Sequence, residues 1–416
     1  MRLVIFEHWT NTKMLVARMR VMHGWAEGNT PADDGPYGIS MIYLDNNATT
    51  APLPDVVDAV SRHMRDVFAN PSSVHEPGQQ ARHAIERSRH SVGRLLGVTA
   101  RTILFTSGGT EAVHTGIRGG IRRDEGRYRF ITTATEHSAV VRCYDALREA
   151  GCEIVEVGVD GSGIVDADAW RDALDGRAAL ANLHHANSET GVVQDVQMLG
   201  RMAWDAGCPV HVDAVQSVGK LPLSLGDWPV DFVSVSAHKF HGPAGVGALY
   251  VRRPGTLRGL IPGVQESGMR GGTENGAGIV GMGLAAAHCE KVLGEIDRIG
   301  VLRDALETGI RKVIPEVVIH GEGVQRICNT ASIGFPDIEA EALLILLNGH
   351  DVFASAGAAC SSGSLEASPV LQAMAVPERV ARGTIRFSLS RNTTAQEVSR
   401  VIEILPALYG RLRDSA

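Results

Sequence analysis

A lysine set between two apolar, β-branched runs is the first residue that demands a chemical account. Lys239 lies in VDFVSVSAHKFHGPAGVGALYVR, with His238 and His241 beside it. An ammonium at the mouth of two strands is costly unless its charge is neutralised or used. A desolvated lysine loses its proton more readily and can then condense with a carbonyl to form a Schiff base. A strand-end lysine reaching solvent fits the same stretch, so Lys239 alone decides nothing. Asp213 comes after the run PVHV in PVHVDAVQS and by itself reads as a satisfied structural carboxylate. RTILFTSGGTEAVH is an apolar strand, a glycine turn and a helix start. Backbone N–H groups at such a start, here Gly108, Gly109 and Thr110, form an anion site, although many such turns carry glycine for geometry only.

The elements that must carry these residues can be read from the pattern around them. RFITTATEHSAV, AALANLHHANSETG and PVHVDAVQS each place polar residues just past an apolar strand. In an open parallel sheet, ligands bind beyond the strands' C-terminal ends. The successive strands therefore aim His137, Asn187, Asp213 and Gln216 at one crevice. Helices are predicted from Pro54 (Val56, Val60, Met64, Val67) and through Ala81, Ile85, Ser88, Val92 and Leu95 to a stop at Gly97. After Arg252 a glycine-rich connection, IPGVQESGMRGGTENGAG, leads to a helical stretch around 279–295. VVIHGEG, NTASIGF and TIRFSLS then read as strands and IEAEALLILLNGH as a helix. The last helix opens on a capping box, Thr394 with Glu397, and has an apolar face of Val398, Val401, Ile402 and Leu405. The expected fold class is α/β, with a mainly parallel sheet in the larger domain and a smaller α+β C-terminal domain beside it.

At 416 residues the chain is long enough for two domains, and its net charge of -7 argues against a dedicated nucleic-acid binder. No apolar run is long enough to span a bilayer, so no membrane partner is expected. The six cysteines are scattered with no C-x-x-C pair, which suits a reducing compartment and gives a cytoplasmic location as the expectation. Residues 1–40 are interrupted by charges and do not resemble the remainder of the chain; they are expected to be a dispensable extension ahead of Met41. His184 with His185, and His238 with His241, invite a metal reading. Adjacent strand residues point to opposite faces and no further ligand stands at a useful spacing, so no metal is expected.

Pyridoxal 5'-phosphate (PLP) needs a lysine for its aldehyde, an acid that keeps its pyridine nitrogen protonated, and a cradle for its phosphate. Lys239, Asp213 and the glycine turn offer all three. Together with the ordered series YLDNNATT, FTSGGTEA, TEHSAV, HANSETG, HVDAVQS, SVSAHKFHGP, GMRGGTEN, ACSSGSLEAS and TIRFSLSRNTT, they resemble the class V, fold-type I PLP enzymes. The closer likeness is to the NifS/IscS-type cysteine desulfurases, and GGTEN and SSGSLEAS look most like the NifS branch.

The resemblance implies that Lys239 holds PLP, that Asp213 faces the pyridine nitrogen and that His137 stacks on the ring. Gln216 and Asn187 would bond the phenolic oxygen, with Asn187 also helping to place the substrate. Gly109, Thr110, Ser236 and His238 would cradle the phosphate, and Thr273 would complete the cradle from the other subunit of a homodimer. Arg386 would pair with the substrate carboxylate. Cys360, in the small-residue run FASAGAACSSGSLEAS, would attack the sulfur of L-cysteine and become a persulfide, leaving alanine. An acceptor or scaffold protein, such as one of iron–sulfur cluster assembly, would take that sulfur. The implied division gives a large domain over 56–299 and a small one from 41–55 and 300–416. Ser188 stands where relatives usually carry a second asparagine, and Pro262, Val264 and Ser267 replace a glycine run and an arginine. A selenocysteine lyase, an aminotransferase and a PLP-free scaffold protein are the competing readings; an aminotransferase has no need for Cys360, a selenocysteine lyase is harder to set apart, and the intact Lys239, Asp213 and Cys360 set argues against a scaffold.

Overall fold

A computed structural model describes residues 41–120, 128–357 and 367–414. Two expectations, the dispensable extension over 1–40 and the reactive Cys360, lie outside the described residues.

The larger sheet has seven strands: β2 (Ile103–Thr106), β3 (Arg129–Thr133), β4 (Glu153–Val157), β5 (Ala178–His184), β6 (Val210–Asp213), β7 (Phe232–Ser236) and β8 (Gly247–Val251). Their spatial order is β2-β8-β7-β6-β5-β3-β4. Only β8 runs against its neighbours, pairing antiparallel with both β2 and β7. The rest of the sheet, β7 through β4, is parallel. Every residue of β5, β6 and β7 is buried, as expected of strands covered on both faces. The pleat sends Phe130 toward helices Gly109–Gly119 and Ser138–Glu149, and Ile131 toward Val196–Asp205 and the opposite face.

A second, antiparallel sheet is built from β9 (Val318–Ile319), β10 (Thr330–Gly334), β12 (Ser355–Ala356) and β13 (Thr384–Ser388), in the order β12-β13-β10-β9. It packs Ile333, Ile385 and Phe387, with Phe335 just past β10, against helices Ile296–Val313 and Ala395–Arg413. The first strand, β1 (Ile42–Tyr43), pairs in parallel with β11 (Val352–Phe353), and Asp45 bridges Ser388. The beginning of the described chain is therefore tied to elements near its end.

The capping box forms as expected: Thr394 N–H donates to Glu397 and Glu397 N–H to the Thr394 hydroxyl. VVIHGEG contributes only two strand residues, because Gly321 and Gly323 take φ of 70° and 85° and turn the chain out of the ladder. The Pro54–Asp66 helix also differs in detail: it buries Val56 and His63, while Met64 stands 66% exposed. Among the described residues no helix is long and apolar enough to cross a membrane.

Candidate active site

A cavity of about 310 Å³ opens at the C-terminal ends of the parallel strands. Its lining brings together Gly109, Thr110, His137, Asn187, Asp213, Gln216, Ser236, His238 and Lys239. Each comes from the end of a strand or the turn after it, which is why residues far apart in sequence converge there.

Lys239 ends the short helical turn Ala237–Lys239 that comes after β7. The turn is closed by bonds from the Phe240 and Gly242 N–H groups to the Ala237 carbonyl. A Cβ on Gly242 would lie 2.8 Å from that of Ala237, so the turn needs glycine there. The Lys239 ammonium donates to the carbonyls of Asn47 (2.6 Å) and Ala48 (2.9 Å).

Asp213 closes β6, is 7% exposed, and accepts the Val215 N–H at 2.9 Å. Burial pushes its carboxyl pKa up, and the nearby His137 opposes that shift. His137 caps the Ser138–Glu149 helix, its Nδ1 accepting the Ala139 N–H at 3.1 Å. That bond puts the proton of the neutral ring on Nε2.

The Gly109–Gly119 helix starts against the cavity with its first N–H groups unpaired within the helix, a setting that favours an anion. A Cβ on Gly109 would meet Val215 at 3.1 Å and Ser236 at 3.3 Å, so β6, β7 and this helix start are closely fitted. His238 contacts the Thr49 hydroxyl at 3.2 Å, and burial, with Lys239 and Lys220 nearby, lowers its pKa to about 4.

Asn187 is largely committed to the fold. Its Nδ2 donates to the Thr135 carbonyl (3.0 Å) and its Oδ1 accepts the N–H groups of Glu189 and Thr190. Gln216 donates to the Asn47 carbonyl at 2.9 Å and accepts from the Lys220 ammonium at 2.6 Å.

Arg386 is buried in β13, bonded to Asp45 at 2.8 Å and to the Ser188 carbonyl at 3.1 Å. It reaches the cavity wall through Ser188, which lines it. That bond uses the backbone, so serine in place of asparagine at 188 does not remove it. Thr273 is exposed and is not part of the lining.

Three residues that the sequence did not place in the site belong to it. Lys220 is 6% exposed and holds both Gln216 and the Asn47 side chain (3.0 Å). Glu136 and His184 form a buried pair at 3.2 Å, and His184 lines the cavity with its Nε2 left without a partner. Gln216 and Lys220 stand four residues apart, but nothing in the sequence marks Lys220 as buried; the Glu136–His184 pair joins the turn after β3 to the end of β5 and leaves no local signal either. His185 turns the other way, its ring 4.6 Å from that of Trp228. Among the described residues no group of three or more potential ligands is placed to hold a metal ion.

The donor set fits PLP: an amine, a buried carboxylate, an imidazole on the cavity wall and a helix start for a phosphate. The cavity is also large enough for a cofactor.

A sequence model described as aminotransferase class-V matches residues 42–401. Cysteine desulfurase 2 of Trichormus variabilis is 42% identical over 376 residues, covering 90% of this chain and 94% of that protein. Cysteine desulfurase NifS of Azotobacter vinelandii is 42% identical with the same coverage. Among solved structures, a NifS-like protein superposes with a TM-score of 0.84 at 34% identity, covering 89% of this chain and all of that one. One titled SspA in complex with cysteine gives 0.73 at 31% identity, covering 84% of this chain and 98% of that one. With its cavity built for PLP and this likeness over nine-tenths of its length, the chain belongs to the aminotransferase class-V family of PLP-dependent enzymes.

Proposed function

We propose that the protein is a cysteine desulfurase, taking sulfur from L-cysteine, releasing L-alanine and carrying the sulfur as a persulfide on Cys360. The observation that carries this reading is the convergence of Lys239, Asp213 and His137 on one cavity, in a chain 42–44% identical to cysteine desulfurases. In this reading Lys239 holds PLP by its aldehyde, Asp213 faces its pyridine nitrogen and His137 its ring. Gly109, Thr110, Ser236 and His238 take the phosphate, joined by Thr273 of a second subunit. Asn187 and Gln216 take the phenolic oxygen. When bound, PLP supplies an electron sink for charge developing at the substrate Cα.

The chain's own residues do the rest. Arg386 receives the substrate carboxylate in place of Asp45. The Lys239 amine, once deprotonated, takes the Cα proton. The Cys360 thiolate attacks the substrate sulfur: an S–S bond forms as the Cβ–S bond breaks, and the electron pair stays with the carbon skeleton, which is protonated to alanine. Burial raises the thiol pKa of Cys143, to about 11, and of Cys328, which leaves neither a ready nucleophile.

The same reading includes a homodimer, a cytoplasmic setting and an acceptor protein for the sulfur. It also assigns 56–299 to a large domain and 41–55 with 300–416 to a small one. Incubation with L-cysteine and a reductant is expected to give alanine and sulfide in equal amounts. Pyruvate with ammonia would instead indicate β-elimination. Cys360→Ala should keep the cofactor absorbance and lose sulfide release; undiminished release would refute the persulfide step.

A further inference from the structure

Gln216 has one amide oxygen and two amide protons, and the fold has already assigned most of them. Its oxygen accepts the Lys220 ammonium at 2.6 Å, and one N–H donates to the Asn47 carbonyl at 2.9 Å. Flipping the amide would set its NH2 against an ammonium and its oxygen against a carbonyl, two repulsions in a buried place. Lys220 is itself fixed by the Asn47 side chain at 3.0 Å and is 6% exposed. We propose that Lys220 is a positioning residue for the cofactor: it locks Gln216 so that only an N–H faces the cavity.

Burial and the neighbouring Lys239 lower the pKa of Lys220 to about 7, with Arg386 adding to that and Cys328 opposing it. The ammonium form makes the lock strict, whereas a neutral amine can also accept from a flipped amide, which leaves the Asn47 carbonyl alone to oppose the flip. An N–H directed into the cavity favours an oxygen that carries negative charge, as a phenolate does. The Asn47 carbonyl that receives Gln216 also receives Lys239 at 2.6 Å, so the same atom registers the amide and the lysine against each other. This inference rests on the reading that Gln216 faces the cofactor's phenolic oxygen.

The test is a pH titration of the bound cofactor's visible absorbance in the parent protein, Lys220→Met, Lys220→Gln, Gln216→Ala and the Lys220→Met/Gln216→Ala double variant. Lys220→Met is expected to move the midpoint upward by about one pH unit, since the amide oxygen loses the ammonium that holds it away from the phenolate and only the Asn47 carbonyl still opposes its turning. Lys220→Gln, which keeps a donor, should stay near the parent. In the Gln216→Ala background Lys220→Met should add nothing. A parent-like midpoint in Lys220→Met, or a shift persisting in full without Gln216, overturns the proposal. Thermal melts of the cofactor-free variants report folding separately, and Lys220→Leu replaces Lys220→Met if the latter does not fold. A parent protein that stays colourless with PLP would refute the cofactor reading itself.

Discussion

His185, His211 and His320 are buried, and burial lowers their pKa values to about 4, about 3 and about 4. The unfolded chain takes these protons near the ordinary value of 6.5, whereas the folded chain refuses them until far lower pH. Stability from this source is therefore complete above about pH 6.5 and is lost as pH falls toward 4, and toward 3 for His211, on the order of 3–5 kcal/mol for each histidine. Urea midpoints should fall steadily between about pH 7 and pH 5; a flat profile would contradict the assignment. At this scale the sequence was informative where polar residues gather just past an apolar run, as at Asp213, Gln216 and Lys239. Lys220 escaped because VGKLPLS looks like an ordinary surface turn. Its burial depends on Asn47, which lies far away in the chain.

The elements show a similar division. Helices with a clean apolar spacing and a cap, such as Ala395–Arg413, were legible. The glycine-rich connection after β8 reads as open loop, yet the Glu266 side chain within it is buried. It makes two 2.7 Å bonds to Arg89 and accepts the Phe105 N–H at 2.9 Å. Glu266 and Ser267 hold φ of 47° and 58°, so these bonds maintain a backbone that side-chain-bearing residues seldom adopt. Glu266→Ala leaves Arg89 buried without that partner and is expected to cost about 3–5 kcal/mol in denaturant unfolding. A change under about 1 kcal/mol would show the pair to be dispensable. No periodicity could reveal this contact, because it joins a helix to a loop through one long-range pair.

For the whole molecule, the decisive feature is the short segment from Ile42 to Ala48. It adds a strand beside β11, bridges Ser388 and supplies the carbonyls that hold Lys239. A protein starting at Met41 is expected to fold and take up PLP like the full chain. One starting at Thr49 should lose cofactor binding and melt earlier, as spectroscopy and calorimetry would register. Equal behaviour of the two would remove the segment from the site. The alternation of strands and helices made the parallel sheet legible in advance. The pairing of Ile42–Tyr43 with Val352–Phe353, about three hundred residues later, was not visible in composition or spacing, since β1 is only two residues long.

The pairing of Ile42 with Val352 also fixes an order of events at the ribosome. All seven strands of the larger sheet have been made once β8 is synthesised, and that sheet can collapse while synthesis continues. The strand leading into Asn47 and Ala48 must wait about a hundred residues longer for its partner to be translated, a long-range closure of the slow kind. Cofactor capture is therefore expected late in the life of the nascent chain, after the part that carries Lys239 has already emerged.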